Sequence, residues 1–291
     1  MFRGAITALV TPFKDGKVDE AALRDLIEFQ IANGIDGLVP CGTTGESPTL
    51  SHDEHDRVIE ITIDAAKKRV PVIAGTGSNS TAEALRLTRH AYEAGADGAL
   101  IACPYYNKPT QEGLYRHFSQ IAKSVPFPIV PYNIPGRTGV NMSPELIARL
   151  AKIDNIVGIK EASGSLKQMN DVLDLCGPEF DVLSGDDGFT LPLMAIGGKG
   201  IISVASNIVP ADMAAMVDAA EAGDFAAARR LHTKMSPLFD VLFIEVNPIP
   251  VKAALALMGR IACEYRLPLC PMAPANHEKL KKALASYGLI S

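Results

Sequence analysis

A chain of 291 residues, 47% hydrophobic and 21% charged, has the composition of a soluble globular protein, and a single α/β barrel takes about 250 of them. The net charge of −5, with Lys and Arg scattered along the whole length, leaves no basic stripe for nucleic acid or for an anionic membrane surface. The five cysteines (Cys41, Cys103, Cys176, Cys263, Cys270) are odd in number and contain no C-x-x-C pair, which argues against a zinc cluster or a disulfide framework and suits a reducing cytoplasm.

The N-terminal MFRGAITALVTPF carries an early Arg3 before an apolar run, but the run is short and β-like. Thr11, Pro12, Asp15 and Gly16 then form a turn rather than a cleavage site. It reads as a first strand. No apolar run approaches the roughly 18 residues of a membrane span.

Short β-branched apolar runs recur eight times, at 5–10, 37–41, 70–74, 98–103, 127–132, 156–160, 181–184 and 200–205. Each is followed by a polar or glycine-rich loop and then by helical periodicity. Helix signals punctuate the intervals. DEAALRDLIEFQIANG ends in the C-cap pair Asn33 and Gly34, and STAEALRLTRHAYEAG opens on a capping box of Ser80 and Glu83 and closes on Gly95. SPELIARLA begins with Ser143 as N-cap and Pro144 at the first helical position.

Strict βα alternation predicts an α/β fold, a (β/α)8 TIM barrel, over residues 1–223. A doubly wound sheet is the alternative, but GTGSNS at 75–80 lacks the third glycine of a dinucleotide loop. After Gly223 the strand signals stop. Three helical segments follow, giving a small C-terminal all-α appendage, residues 224–291, that packs on the barrel.

Chemistry in such barrels lies at the C-terminal ends of the strands. Three lysines have apolar surroundings: Lys160, Lys199 and Lys252. Lys199 precedes the eighth strand, at the opposite end, and Lys252 sits on a helix from which its side chain is expected to snorkel to water. Only Lys160 ends a strand. Alternation turns Ile156, Gly158 and Lys160 toward the barrel axis, with Val157 and Ile159 outward and Gly158 leaving room beside the lysine.

A buried lysine either pairs, here with Asp186 or Glu161, or reacts. Reaction means imine formation with a carbonyl, for which burial favours the neutral amine. Tyr132, at the end of the adjacent strand, is a proton donor and acceptor. Thr43, Thr44 and the backbone amides of the loop 42–45 offer donors to a carboxylate.

GTTGES at 42–47, PYYNKPTQEG at 104–113, YNIPGRTG at 132–139, GIKEAS at 158–163, GDD at 185–187 and NPIPVKAAL at 247–255 together resemble the dihydrodipicolinate synthase family over the full length. That family sits within a wider class of pyruvate-dependent lyases that includes N-acetylneuraminate lyase and keto-deoxy sugar-acid aldolases. The resemblance implies a (β/α)8 barrel forming a homotetramer and condensing pyruvate with aspartate 4-semialdehyde, on the route to lysine and diaminopimelate; the cysteine usage and the short N-terminal run above place the chain in the cytoplasm. No metal or organic cofactor is implied.

By the same resemblance Lys160 is the Schiff-base lysine and Tyr132 its proton relay. Thr43 links Tyr132 to Tyr106, which comes from a neighbouring subunit. Thr44 holds the pyruvate carboxylate, and Gly185 and the backbone around Ile202 complete that site. Arg137 binds the semialdehyde carboxylate, a role suited to a guanidinium and one that sugar-acid lyases usually lack.

His52 and His55 stand three apart on one helical face, a spacing open to a metal pair. The resemblance implies instead an allosteric lysine pocket made by Ser47, His52, His55, Asn79, Glu83 and Tyr105. Glu83 would bind the α-amino group, and Asn79 and Tyr105 the carboxylate. Pro48 stands where that pocket carries a small alanine.

Overall fold

The glycine-bounded apolar runs form eight short parallel strands in the computed structural model, which describes residues 1–291. They are β1 (Gly4–Ala8), β2 (Gly37–Val39), β3 (Ile73–Gly75), β4 (Gly98–Ala102), β5 (Ile129–Asn133), β6 (Gly158–Glu161), β7 (Asp181–Ser184) and β8 (Gly200–Ser203). Each pairs with its neighbours in chain order, and β8 returns to β1. β2 and β3 complete the ring through one bridge, Leu38 to Val72. The expected barrel is therefore present.

Prolines explain why two of the strands are shorter than the apolar runs. Pro40 ends β2 and Pro71 delays β3, because neither has an N–H for the ladder. A small antiparallel hairpin, Phe13–Lys14 with Lys17–Val18, turns on Asp15 and Gly16, both at positive φ.

Ser143 accepts a hydrogen bond from the Leu146 amide as an N-cap, with Pro144 following, and Gly34 sits at φ +81 beyond the Asn33 cap. The capping box expected at Ser80 and Glu83 does not form. The Ser80 hydroxyl caps nothing, because Ser78 accepts from the Ser80 amide and donates to Glu83 instead. A reciprocal capping box is found one helix earlier, between Ser51 and Glu54.

Two apolar layers follow from strand alternation. Ten buried residues, among them Ile6, Val39, Leu100, Tyr132 and Ile202, fill the barrel, and a larger core lies between strands and helices. Each fully buried Ile or Leu contributes about 1.5–3 kcal/mol. At the N-terminal ends of the strands the Met1 ammonium and Arg3 both grip the buried Asp181.

The alternation expected along 156–160 holds only for its second half. Lys160 faces inward and Ile159 outward, but Ile156 belongs to the outer core and Val157 packs against the barrel interior. The strand begins at Gly158, and Ile156 touches the sheet through a single bridge to Ile129, so the period of two does not run back through it.

The Phe225–Val241 helix packs along Pro210–Glu221, and Ile249–Leu257 and Pro274–Tyr287 follow. No helix is long and apolar enough to cross a membrane.

Candidate active site

β5 and β6 pair in a register that sets Tyr132 beside Lys160. Both point into the barrel at its C-terminal end. Lys160 is only 5% exposed, and its Nζ lies 4.2 Å from the centroid of the Tyr132 ring. Burial pushes the ammonium down to about 7 from an ordinary 10.5; Arg137 pushes the same way and Asp187 opposes. Near pH 7 about half of the amine is then neutral, against about one in a few thousand for an ordinary lysine.

Neither carboxylate named as a partner for Lys160 reaches it. Glu161, the next residue, faces the other side of the sheet, where it accepts from Asn133 Nδ2 at 3.0 Å and from the Ser163 amide at 2.6 Å. Asp186 is exposed and caps the Gly188 amide at 2.8 Å. The carboxylate whose field reaches the lysine is the buried Asp187, held by Ser203 Oγ at 2.5 Å and by the Val204 and Ala205 amides at 3.3 and 3.2 Å. Burial raises Asp187 to about 6 despite these donors.

Room beside Lys160 comes from Gly185 rather than Gly158. A Cβ on Gly185 would stand 3.0 Å from Lys160 Cε, whereas one on Gly158 would strike the Asp181 carbonyl oxygen at 2.3 Å. Gly158 thus lets β6 approach β7, and Gly185 lets the lysine extend.

Burial raises the Tyr132 phenol above its ordinary range, against the pull of Arg137 and of the neighbouring Thr43 hydroxyl. The phenol therefore stays protonated at neutral pH and is available as a proton donor. In the loop after β2, the Gly45, Glu46 and Ser47 amides are used within the turn, on Gly42 and Thr43 carbonyls. The Thr43 and Thr44 amides are left without a backbone partner. Thr44 is buried, and its hydroxyl accepts from Asn247 Nδ2 at 2.9 Å.

Arg137 sits on the one-turn helix Pro135–Thr138 at the exposed rim and donates from Nη2 to the Asn247 carbonyl at 3.0 Å. A chamber lined by Lys160, Thr44, Gly185, Val204 and Asn247 adjoins an outer cavity of about 440 Å³. Gly42, Thr43, Leu100, Tyr132, Ile134 and Arg137 line both. Ile202 lines neither, its side chain being in the barrel interior, and Val204 takes the lining position two residues on.

Ser47, His52, His55, Glu83 and Tyr105 line the outer cavity; Asn79 does not, though its carbonyl accepts from Asn107 at 2.9 Å. His52 Nε2 meets Glu83 at 2.9 Å, while His55 turns inward and donates from Nε2 to the Gly75 carbonyl at 2.9 Å. The two imidazoles therefore address different partners. Burial lowers His55 to about 4, so it is neutral. Tyr106 is 91% exposed at positive φ and lines neither cavity of its own chain.

Lys252 corrects another expectation. Its helix, Ile249–Leu257, is buried on every side, so no route to water exists for the side chain, and the ammonium forms a buried ion pair with Glu46. Sequence reasoning also passed over Asp187 as a field on the lysine and Asn247 as a partner of Thr44. Asn247 heads the NPIPVK stretch, where a polar residue before an apolar helix was the only visible signal.

The model of the dihydrodipicolinate synthetase family matches residues 1–287. The chain is similar to the 4-hydroxy-tetrahydrodipicolinate synthase of Syntrophus aciditrophicus, with 71% identity over 290 residues and both chains covered completely. Among solved structures, the dihydrodipicolinate synthase of Aquifex aeolicus is 52% identical, with a TM-score of 0.98 and 99% of each chain covered. That of Cyanidioschyzon merolae with lysine bound is 42% identical, with a TM-score of 0.97 over 99% of each chain.

Proposed function

The chain belongs to the dihydrodipicolinate synthetase family, and from that premise we infer a 4-hydroxy-tetrahydrodipicolinate synthase: a lyase that condenses pyruvate with L-aspartate 4-semialdehyde in lysine and diaminopimelate biosynthesis. The observation that carries the reading of the site is an unpaired, buried Lys160 at the catalytic end of β6, lowered to about 7 and facing Tyr132.

Neutral Lys160 attacks the keto carbon of pyruvate, and the carbinolamine loses water to give an iminium, with Tyr132 donating the proton that the leaving oxygen needs. Loss of a methyl proton then gives an enamine, because the iminium nitrogen accepts the electron pair. The enamine carbon attacks the aldehyde carbon of the semialdehyde, and the resulting alkoxide is protonated. The α-amino group of the joined product adds to the imine carbon, displacing Lys160 and closing the ring.

Thr44 and the Thr43 and Thr44 amides receive the pyruvate carboxylate, Gly185 and the strand end at Ile202 and Val204 border it, and Arg137 at the rim pairs with the carboxylate of the second substrate. Arg137 favours the semialdehyde over a sugar acid, whose hydroxyls need neutral donors and acceptors. Incubation with pyruvate and borohydride, followed by peptide mass analysis, is expected to mark Lys160; a protein that stays unmodified there refutes the imine. Turnover with the semialdehyde, set beside N-acetylneuraminate and keto-deoxygluconate, separates the synthase from its sugar-acid relatives.

Lysine is the effector in this reading. Ser47, His52, His55, Glu83 and Tyr105 line the outer cavity, with Asn79 outside its lining, and the Cyanidioschyzon merolae relative was solved with lysine bound. The exposed ring of Tyr106 suits contribution to a neighbouring subunit, where Thr43 links it to Tyr132 in a homotetramer. A mass near that of one 31.0 kDa chain in light scattering would refute the assembly.

A further inference from the structure

We propose that Lys252 and Glu46 are positioning residues: their buried ion pair latches the turn 42–46, and with it Thr43 and Thr44, in the conformation that receives the pyruvate carboxylate. The proposal rests on the reading of that turn given above.

The pair is costly to keep. Lys252 is fully buried and Glu46 is 2% exposed, and only Glu46 Oε1 meets the ammonium. Oε2 is buried with no partner at all. An ion pair withdrawn from water with one oxygen unsatisfied is poor evidence of stabilisation, since apolar residues of similar volume fill such space as well or better. A role in holding geometry accounts for its form.

The backbone supplies that role. Cys41 and Glu46 both lie at positive φ, 55 and 54, which disfavours any residue with a Cβ. They bracket the turn that offers the Thr43 and Thr44 amides. Strained residues persist only where their surroundings over-determine them. On the barrel side the turn is pressed home at Gly45, where a Cβ would stand 3.0 Å from the Cys41 nitrogen and 3.2 Å from the Leu9 carbonyl oxygen.

On the other side it is held by the C-terminal segment, through Lys252 on Glu46 and through Asn247 on Thr44. The Lys252 ammonium is itself fixed 4.2 Å from the centroid of the Phe13 ring. Removing the latch lets Glu46 relax toward negative φ and swings the two free amides away from the chamber.

The test uses the full chain with Lys252→Met, Glu46→Gln and both together, beside Thr44→Val. The double variant leaves no buried charge. It is expected to melt cooperatively, with a pyruvate KM raised about tenfold or more, kcat within about threefold and semialdehyde KM within about twofold, the pattern of lost ground-state binding. A merely structural pair would lower the melting temperature and leave the pyruvate KM alone.

If the folded double variant keeps its pyruvate KM while Thr44→Val raises it about tenfold, the latch is overturned and the turn stands. If Thr44→Val also changes nothing, the reading of the turn fails and the latch with it. Should the double variant not fold, Glu46→Asp keeps both charges and withdraws the carboxylate by one methylene; an unchanged pyruvate KM there overturns the latch equally.

Discussion

Replacing Lys160 by Met should stabilise the protein while abolishing its chemistry, and the size of the gain should depend on pH. The unfolded chain binds the lysine proton with a pKa of 10.5 and the folded chain with one of about 7. Between those values the unfolded state holds more proton, so folding loses stability as pH falls from about 10.5 to about 7 and loses nothing further below. Each pH unit in that window is worth about 1.36 kcal/mol, so the penalty is about 4 kcal/mol at pH 7 and about 1.4 kcal/mol at pH 9.5.

Met keeps the stem length beside Tyr132 and Gly185 and carries no charge. Urea unfolding followed by circular dichroism at the two pH values should therefore show Lys160→Met more stable by up to about 4 kcal/mol at pH 7, with most of that advantage gone at pH 9.5. A difference that does not change between the two pH values would show that Lys160 is not carried into the fold as a destabilised cation. The argument from desolvation would then fail.

The same lowering predicts that the rate of pyruvate adduct formation, followed by borohydride trapping, climbs through pH 7 and levels above it; a rate still climbing steeply at pH 9 contradicts an amine lowered to about 7. Gly185→Ala places a Cβ 2.7 Å from Ala162 Cβ and 3.0 Å from Lys160 Cε, so the lysine stem must move and adduct formation should slow about 10²-fold in a folded protein. Gly158→Ala instead meets backbone and should appear as lost stability. Tyr132→Phe keeps the ring and removes the proton donor, and kcat should drop about 10²–10⁴-fold; a loss under about threefold would remove Tyr132 from the mechanism. Glu83→Gln should raise the lysine concentration for half inhibition by about tenfold, the loss of one charge-assisted hydrogen bond, and an unmoved value would place the effector elsewhere.

The eight strands and their order were legible because a period of two and a period near four are properties of consecutive residues. Lys160 was legible for the same reason, as a charge at the end of an apolar run at the catalytic end of a barrel strand. Its partners were less so. Glu161 and Asp186 are its neighbours in sequence or across a strand, yet one faces the other side of the sheet and the other faces water, and the field at the amine comes from Asp187. A half-turn of backbone separates those outcomes, and nothing in local pattern records it.

Composition and periodicity by themselves determined a (β/α)8 barrel with a helical appendage and a lysine at its catalytic mouth. Tertiary structure alone decided which glycine makes room for that lysine, how far burial lowers its pKa, and where Lys252 goes. Gly158 and Gly185 are equivalent as letters and differ only in what a Cβ would meet. Lys252 and Glu46 lie 206 residues apart, so their encounter depends on how the appendage docks, a matter of long-range packing that no window along the chain contains.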